Sequence, residues 1–546
     1  MKYKMRVKIS RRIIVPVLAV MLVVVGSSFK SDYFEIAKQI EIFTTLFKEL
    51  NMNYVDDTNP GELMDTAIKN MLDDLDPYTR FLNEQDVEAY KINNSGEYSG
   101  IGAMVRSYDD KLLVIEPYQG YAADKAGLKA GDEIINIGGI AVSDFKDDAT
   151  ELLKGANNTT VEVTFKRQGK TQTTTVTREA IEIDAVPFYS MAADKTGYIV
   201  LTRFNAKASE QTKSALLDLK SQGMERLILD LRGNPGGLLS EAIKITNLFV
   251  PKGELIVTTK SKVKKFNREY RTKSNPIDED IPLVVLVDGG SASASEIVSG
   301  GLQDLDRAVI VGARSFGKGL VQRPLKLTYG TQLKVTISRY YTPSGRCIQA
   351  LDYWNRDEQG KAIRNTEFRD FTTRNGRKVQ DGGGVMPDIE IPDLKSNALT
   401  KALVSNNLVF DYATKYYYQN TVDNLESFNF TDADFKAFKS HVAGSDFNFE
   451  TKTEKALREA IEDEDTALLG AEMSSHYQDL MQQIKLEKIK AVDRYQNEIQ
   501  KSLEDEIIKR YFYRDGLYRY YLDHDKAVEK AIAVLKDPKG YADILN

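Results

Sequence analysis

The chain of 546 residues carries one cysteine, Cys347, and three histidines, His441, His476 and His524. A single cysteine excludes an internal disulfide framework and a cysteine-rich metal site. No two of the histidines have the close spacing of a zinc-binding helix motif, so neither a metal nor a cofactor is expected. All three follow residue 440, in a stretch of different texture from the rest. A Ser-His-Asp enzyme would need one of them to reach in from a distant part of the fold. Basic excess is lacking too: 74 Lys and Arg stand against 80 Asp and Glu, a net charge of −6. Nucleic acid is therefore not an expected partner. What is present is ample apolar content, 42%, with 28% charged residues. At roughly 100–200 residues per domain this predicts several folded domains with soluble surfaces.

The one long apolar run is IIVPVLAVMLVVVG (13–26), preceded by Lys2, Lys4, Arg6, Lys8, Arg11 and Arg12. A basic segment before a short apolar stretch reads as an export signal, and the run is short against the ~20 residues of a spanning helix. Gly26, Ser27 and Ser28 offer small residues for cleavage but no A-x-A pattern, so a retained inner-membrane anchor is the alternative. No cysteine follows the run, which excludes lipoprotein processing. Residues 1–30 are thus an export signal or N-terminal membrane anchor. The rest is expected outside the cytoplasm, in the bacterial periplasm or cell envelope.

Four textures follow. Residues 31–96 are helical, with Phe34, Ile36, Ile40, Phe43, Leu46 and Leu50 at three- and four-residue steps. Residues 97–182 hold short β-rich runs punctuated by glycine. Residues 183–395 alternate strands and helices, and apolar runs such as LVVLV (283–287) predict strands buried on both faces of a helix-covered sheet. Residues 396–546 are helical. The fold class is multidomain α/β.

Three short stretches in 183–395 carry chemistry. SASASEI (291–297) sets three serines at alternate positions before a helix. Ser293-Ala294-Ser295-Glu296 is a capping box, yet a serine at a strand-to-helix turn also lies beside free amides, and that of Ala294 is placed to stabilise an oxyanion. Ser293 points away from Ser291 and Ser295, and only one side can face a site. GARSFGKGLVQ (312–322) matches the Gly and Lys of a phosphate loop at Gly312, Gly317 and Lys318, but Gly319 replaces its metal-binding Ser/Thr. What is left is a lysine among glycines and apolar residues, surroundings that favour a neutral amine and hence a general base. In DLRGNPGG (230–237), Gly236-Gly237 form another turn exposing backbone amides, a source for a second oxyanion donor.

Together, DLRGNPGG, SASASEI and RSFGKGLVQ resemble the carboxy-terminal processing (tail-specific) serine proteases, down to the 25 residues separating Ser293 from Lys318. The resemblance implies a crotonase/ClpP-like protease core with a PDZ domain ahead of it. It makes Ser293 the nucleophile, Lys318 the general base and Gln322 the side chain that orients the lysine amine. The amides of Gly237 and Ala294 would form the oxyanion hole. SGIGAMV with KAGLKAGDEIINIGG resembles the PDZ domain, in which Gly100, Ile101, Gly102 and Ala103 form the loop for a peptide's terminal carboxylate. Consecutive amides of this kind make an anion nest beside a strand edge that can pair with a peptide. Arg167 is a candidate link between peptide binding and the active site. The implied function is a serine endopeptidase that recognises protein C-terminal tails and cleaves with a Ser-Lys dyad. The alternative is an inactive PDZ-bearing scaffold. The late helices read as a cap over the site, a homo-oligomer contact or a platform for an adaptor protein.

Overall fold

A computed structural model describes residues 30–546 apart from 109, 146–147, 393–396, 446, 448 and 463–469. The export or anchor segment lies outside the described residues up to residue 29. Among the described residues no helix is long and apolar enough to cross a membrane. The chain divides into two units that meet at Phe81 and Leu82.

The first unit contains the helices Lys30–Asn53 and Pro60–Asp73. The second of these starts with Asn59 accepting from the amides of Gly61 and Glu62, and with Pro60 in its first turn, where a missing N–H costs nothing. The periodic residues expected in 31–96 do form a helix, but their stripe is exposed: Phe34 is 70% and Ile40 61% accessible.

The second unit opens with helix Glu84–Ser95, which a capping box at Asn83 and Asp86 starts and left-handed Gly96 ends. The β-rich region then builds an antiparallel sheet in the order Ala103–Tyr108, Lys111–Pro117, Glu133–Ile137, Thr160–Arg167, Lys170–Thr177. Alternation in the fourth strand sends Val161, Val163 and Phe165 inward, against Leu112, Val114 and Ile134. Ala103–Tyr108 lies at the edge of the sheet. Glu97–Gly100 pairs instead with Glu179–Glu182, so the chain enters and leaves this region side by side.

A six-stranded sheet forms the centre of the unit: β1 (Phe188–Met191), β2 (Thr196–Val200), β3 (Arg226–Asp230), β4 (Leu283–Val287), β5 (Val309–Gly312) and β6 (Ile389–Glu390). β1 is antiparallel to β2, and every later pairing is parallel. The apolar runs are buried on both faces, as their composition requires. Leu227, Leu229 and Val285 face helices α1 (Ala208–Ser221), α2 (Leu239–Thr246) and α3 (Ala294–Asp304). Ile228, Val284 and Leu286 face the other way.

That other face is covered by the end of the chain. Within the C-terminal helices, α4 (Gln496–His524) leads into α5 (Lys526–Lys536), whose Val528, Val534 and Leu535 pack on Tyr198, Ile228, Val284 and Leu286. Each such apolar side chain contributes about 1.5–3 kcal/mol on burial, so α5 completes the core rather than trailing from it. The remaining helices share with α4 a separate core around Leu403, Phe438, Leu503 and Ile507. α4 also reaches the β-rich region: Tyr513 donates to Asp124 (2.7 Å), and Arg514 grips Glu116 with two nitrogens.

Candidate active site

Two turns at the carboxyl ends of β3 and β4 are stitched together by their own polar groups. Ser291 is fully buried and donates to Leu231 O (2.8 Å), and buried Ser295 donates to Asn234 O (2.9 Å). Ala292 N donates to the same Asn234 carbonyl. The hydroxyls of Ser291 and Ser295 are thus tied to backbone, while Ser293 is half-buried between them. Its backbone adopts φ 56° and ψ −108°, a conformation of order 1–3 kcal/mol for a non-glycine residue that persists only where neighbours enforce it.

The facing turn requires glycine. Gly236 has φ 96°, and a Cβ there would sit 2.7 Å from Ala292 O and 2.9 Å from both Ala294 N and Ser293 Cβ. A Cβ on Gly237 would lie 2.4 Å from Phe204 O, its bridge partner. The two expected oxyanion donors, Gly237 and Ala294, therefore stand on segments in direct contact. Asn234, fully buried, shapes the turn by accepting from Gly236 N (2.9 Å) and donating to Leu201 O (2.7 Å).

Lys318 reaches this place through Glu296. The Oε2 of Glu296 accepts from Ser293 N (2.8 Å) and from Lys318 N (2.9 Å), so one oxygen bridges the two backbones. Its Oε1 accepts from Gly317 N (2.7 Å) and Ser315 Oγ (2.6 Å). The carboxylate is wholly buried. Burial raises its pKa, and the bonds from Ser315, Lys318, Gly317 and Ser293 oppose that rise. Sequence reasoning saw Glu296 only as half of a capping box. That half is present, but nothing local reveals that the same carboxylate spans to residues 315–318. It also answers the phosphate-loop alternative, because the amides of Gly317 and Lys318 already hold an anion of the protein's own.

Residues 348–350, which no motif explained, back the lysine loop. Ala350 N donates to Gly317 O, Gly319 N donates to Gln349 Oε1, and a Cβ on Gly317 would meet Ala350 Cβ at 2.4 Å. Gln322, on the strand that follows, donates through Nε2 to Thr336 Oγ1 (3.1 Å). Its carbonyl oxygen is the atom an orienting role toward an amine requires. The histidines lie elsewhere, with His524 stacked on Tyr520 and His441 beside Tyr412 in the C-terminal helices.

In the β-rich region, Gly102 has φ 71° and no room for a side chain, since a Cβ would lie 2.5 Å from Tyr121 Cβ. Ile101 is buried, its carbonyl accepting from Ala123 N, and Gly102 O accepts from Tyr118 N. The ring of Tyr98 lies against Gly100. Burial raises the Tyr98 phenol, the neighbouring Tyr118 and Tyr121 add to the rise, and hydrogen bonds from the amides of Ala103 and Gly102 oppose it. Arg167 is committed locally, with Nε and Nη2 on Asp132 (2.7 and 2.6 Å) and a bond to Gly127 O.

Comparison with known proteins matches three separate stretches of the chain. Residues 195–353 match the family described as Peptidase family S41, residues 99–177 match the PDZ domain, and residues 399–535 match the C-terminal helical domain of a probable PDZ-protease. A carboxy-terminal-processing protease of Bartonella bacilliformis is 35% identical over 321 residues, which cover 58% of this chain and 73% of the relative. A probable CtpA-like serine protease of Staphylococcus aureus is 33% identical over 307 residues, 56% of this chain and 61% of the relative. The solved photosystem II D1 C-terminal processing protease is 30% identical, with 64% of this chain and 86% of that one covered at a TM-score of 0.36. The chain belongs to the PDZ-containing carboxy-terminal processing proteases of peptidase family S41 and is a serine-type peptidase.

Proposed function

We propose that Ser293 and Lys318 form the catalytic dyad of an endopeptidase that selects protein C-terminal tails. Neutral Lys318 takes the Ser293 hydroxyl proton as Oγ bonds to the peptide carbonyl carbon. The resulting ammonium gives that proton to the leaving amine as the C–N bond breaks. Water then attacks the ester, passes a proton through Lys318, and Ser293 is restored. The amides of Gly237 and Ala294 hold the oxyanion, each worth about 3–4 kcal/mol. The Gln322 carbonyl orients the lysine amine. The observation that carries this reading is the single Glu296 oxygen shared by Ser293 N and Lys318 N, with Ser293 held at positive φ.

In the same reading, Gly100, Ile101, Gly102 and Ala103 take the substrate's terminal carboxylate, and the edge strand after them pairs with its backbone. Residues 97–182 are the peptide-binding domain, 183–395 a crotonase/ClpP-like protease core and 396–546 the helical domain. The chain works outside the cytoplasm, in the periplasm or envelope. The test is cleavage of a peptide ending in small apolar residues. Ser293→Ala should abolish it. Lys318→Arg should be as inactive as Lys318→Ala, because arginine cannot give up its proton, while Gln322→Ala keeps a remnant. An active Lys318→Arg protein would put the base elsewhere and end the dyad reading.

A further inference from the structure

Arg203 has no carboxylate partner among the described residues. Its neighbour Phe204 is bonded to the oxyanion turn, donating to Gly236 O (3.0 Å) and accepting from Leu238 N (2.7 Å). The guanidinium interacts electrostatically with Tyr118, Arg514 and Tyr518. Tyr118 is the residue whose amide is held by Gly102, in the candidate carboxylate loop. Arg203 is thus linked electrostatically to Tyr118, which is bonded to Gly102, and along the chain to Phe204, which is bonded to Gly236. In the tail-recognition reading, a tail held at the loop and cleaved at Ser293 runs between these two places.

Arg203 is half-buried, and its Nε is sealed from solvent without an acceptor. The carboxylate in the cluster, Glu116, is already held by Arg514, which brings a second positive charge. Arg167, Arg232, Arg346 and Arg377 have acids of their own in Asp132, Asp230, Asp304 and Asp306, and the half-buried Arg178, Arg307 and Arg314, which have none, donate through Nε to Leu153 O, Phe249 O and Met386 Sδ. Burial of Arg203 disfavours its charged form, Tyr118 and Tyr518 oppose this, and Arg514 reinforces it. Leaving a buried cation uncompensated is costly, and an unsatisfied buried donor calls for an explanation.

We propose that Arg203 is a specificity-determining residue that pairs with a carboxylate of the bound peptide tail. The inference rests on the tail-recognition reading above. It adds that the protease selects tails by charge at a point between the PDZ loop and the oxyanion turn. The carboxylate comes either from the tail's C-terminus or from an acidic side chain near it.

The test measures binding of fluorescein-labelled peptides by anisotropy, using the full chain with Ser293→Ala so that nothing is cleaved. The peptides carry a free or an amidated C-terminus, and Asp or Asn near the end. A charge-assisted pair predicts that the preferred carboxylate peptide binds about tenfold tighter or more than its neutral counterpart. Arg203→Gln should bring that preference toward one, and Arg203→Lys should restore part of it, which a merely structural role would not. Should Arg203→Gln fail to fold, a reduced but finite preference in Arg203→Lys supports the pairing, and an unchanged preference overturns it. Loss of the preference on amidation assigns the terminal carboxylate, and loss on Asp→Asn assigns the side chain. Full retention of the preference in Arg203→Gln overturns the proposal, as does the absence of any peptide binding. A failure of the dyad reading shows separately, as cleavage by the Lys318→Arg protein.

Discussion

At the turn that carries Ser293, the buried Glu296 is bonded to four donors, all of them neutral: three backbone amides and the Ser315 hydroxyl. At the joint where α5 meets β3, Asp525 is equally hidden but meets cations. Arg232 Nη1 donates to it at 2.8 Å and Lys501 Nζ at 3.3 Å. Burial pushes both carboxyls upward. For Glu296 burial wins, whereas at Asp525 Arg232 and Lys501 bring the pKa down to about 2. Fixed dipoles and mobile charges serve different ends here. Amides position the segments around the proposed catalytic turn without adding a cation to it. An ion pair fastens a helix to a sheet and can be titrated away. The two regions touch, since Arg232 is followed directly by the turn Gly233–Gly237.

The largest effect should come from spoiling the dipole-built region. Gly236→Ala would force a Cβ onto Ala292 O, Ala294 N and Ser293 Cβ, misplacing the proposed nucleophile and oxyanion donors together. Displacements of about 1 Å cost on the order of 100-fold, so kcat should fall by at least that much, read in a peptide cleavage assay. Glu296→Gln is subtler. It keeps one acceptor oxygen and swaps the other for a donor that opposes the amides of Ser293 and Lys318. Each unsatisfied donor costs about 1–3 kcal/mol. We expect kcat to drop about 10- to 100-fold with KM little changed, and a lower melting temperature. An active Glu296→Gln enzyme would mean that the carboxylate does not hold the site in register.

Asp525→Asn tests the ion-pair side of the comparison. Asparagine can still cap α5, as Asp525 does through the amides of Ala527 and Val528, but it leaves Arg232 with Asp230 alone. Breaking one side of a buried pair costs ~3–5 kcal/mol. Because the cap and Asp230 persist, ~2–3 kcal/mol is expected at neutral pH, measured by denaturant unfolding. The pH dependence has opposite signs in the two regions. Asp525 has a depressed folded pKa, so its contribution is present above the unfolded value near 3.9 and fades as pH falls through about 2. The gap between wild type and Asp525→Asn should narrow over that window. Glu296 has a raised pKa, so acidification from its folded value toward the ordinary glutamate value favours the folded state. A gap that stays constant down to acid pH would show that Asp525 acts only as a cap.

What sequence reasoning reached and what it missed divide along similar lines. The apolar run Leu283–Val287, the glycine turn at 236–237 and the serine and lysine stretches are local patterns, and each was legible. The helix at Lys30–Asn53 was legible as a helix, but periodicity cannot tell an exposed stripe from a buried one. α5 was not legible as a layer of the core, because its partners Tyr198, Ile228 and Val284 are hundreds of residues away. Glu296 was misread as a cap alone since its second oxygen serves a loop that folding brings to it. Arg203 gave no signal at all. Its missing partner is a property of three segments that meet only in the fold.

The smallest effect concerns the peptide loop, a third place where amides surround one oxygen. Here the partner is neutral: the Tyr98 hydroxyl interacts with the amides of Ala103 and Gly102, and a Cβ on Gly100 would lie 2.9 Å from the Tyr98 ring. A substrate carboxylate that enters this nest has to displace that hydroxyl. Tyr98→Phe keeps the ring against Gly100 and removes the competing oxygen, leaving the two amides unanswered until a tail arrives. A neutral hydrogen bond contributes about 0.5–1.5 kcal/mol net, so a tail peptide should bind a few-fold tighter to Ser293→Ala/Tyr98→Phe than to Ser293→Ala, as measured by anisotropy. The gain should vanish when the peptide is amidated, because a neutral amide recovers little from two amide donors. Equal or weaker binding of the free-carboxylate peptide would place the tail's terminus outside the Gly100–Ala103 loop. The resemblance to Glu296, amides converging to hold an anion, would then stop at the catalytic turn.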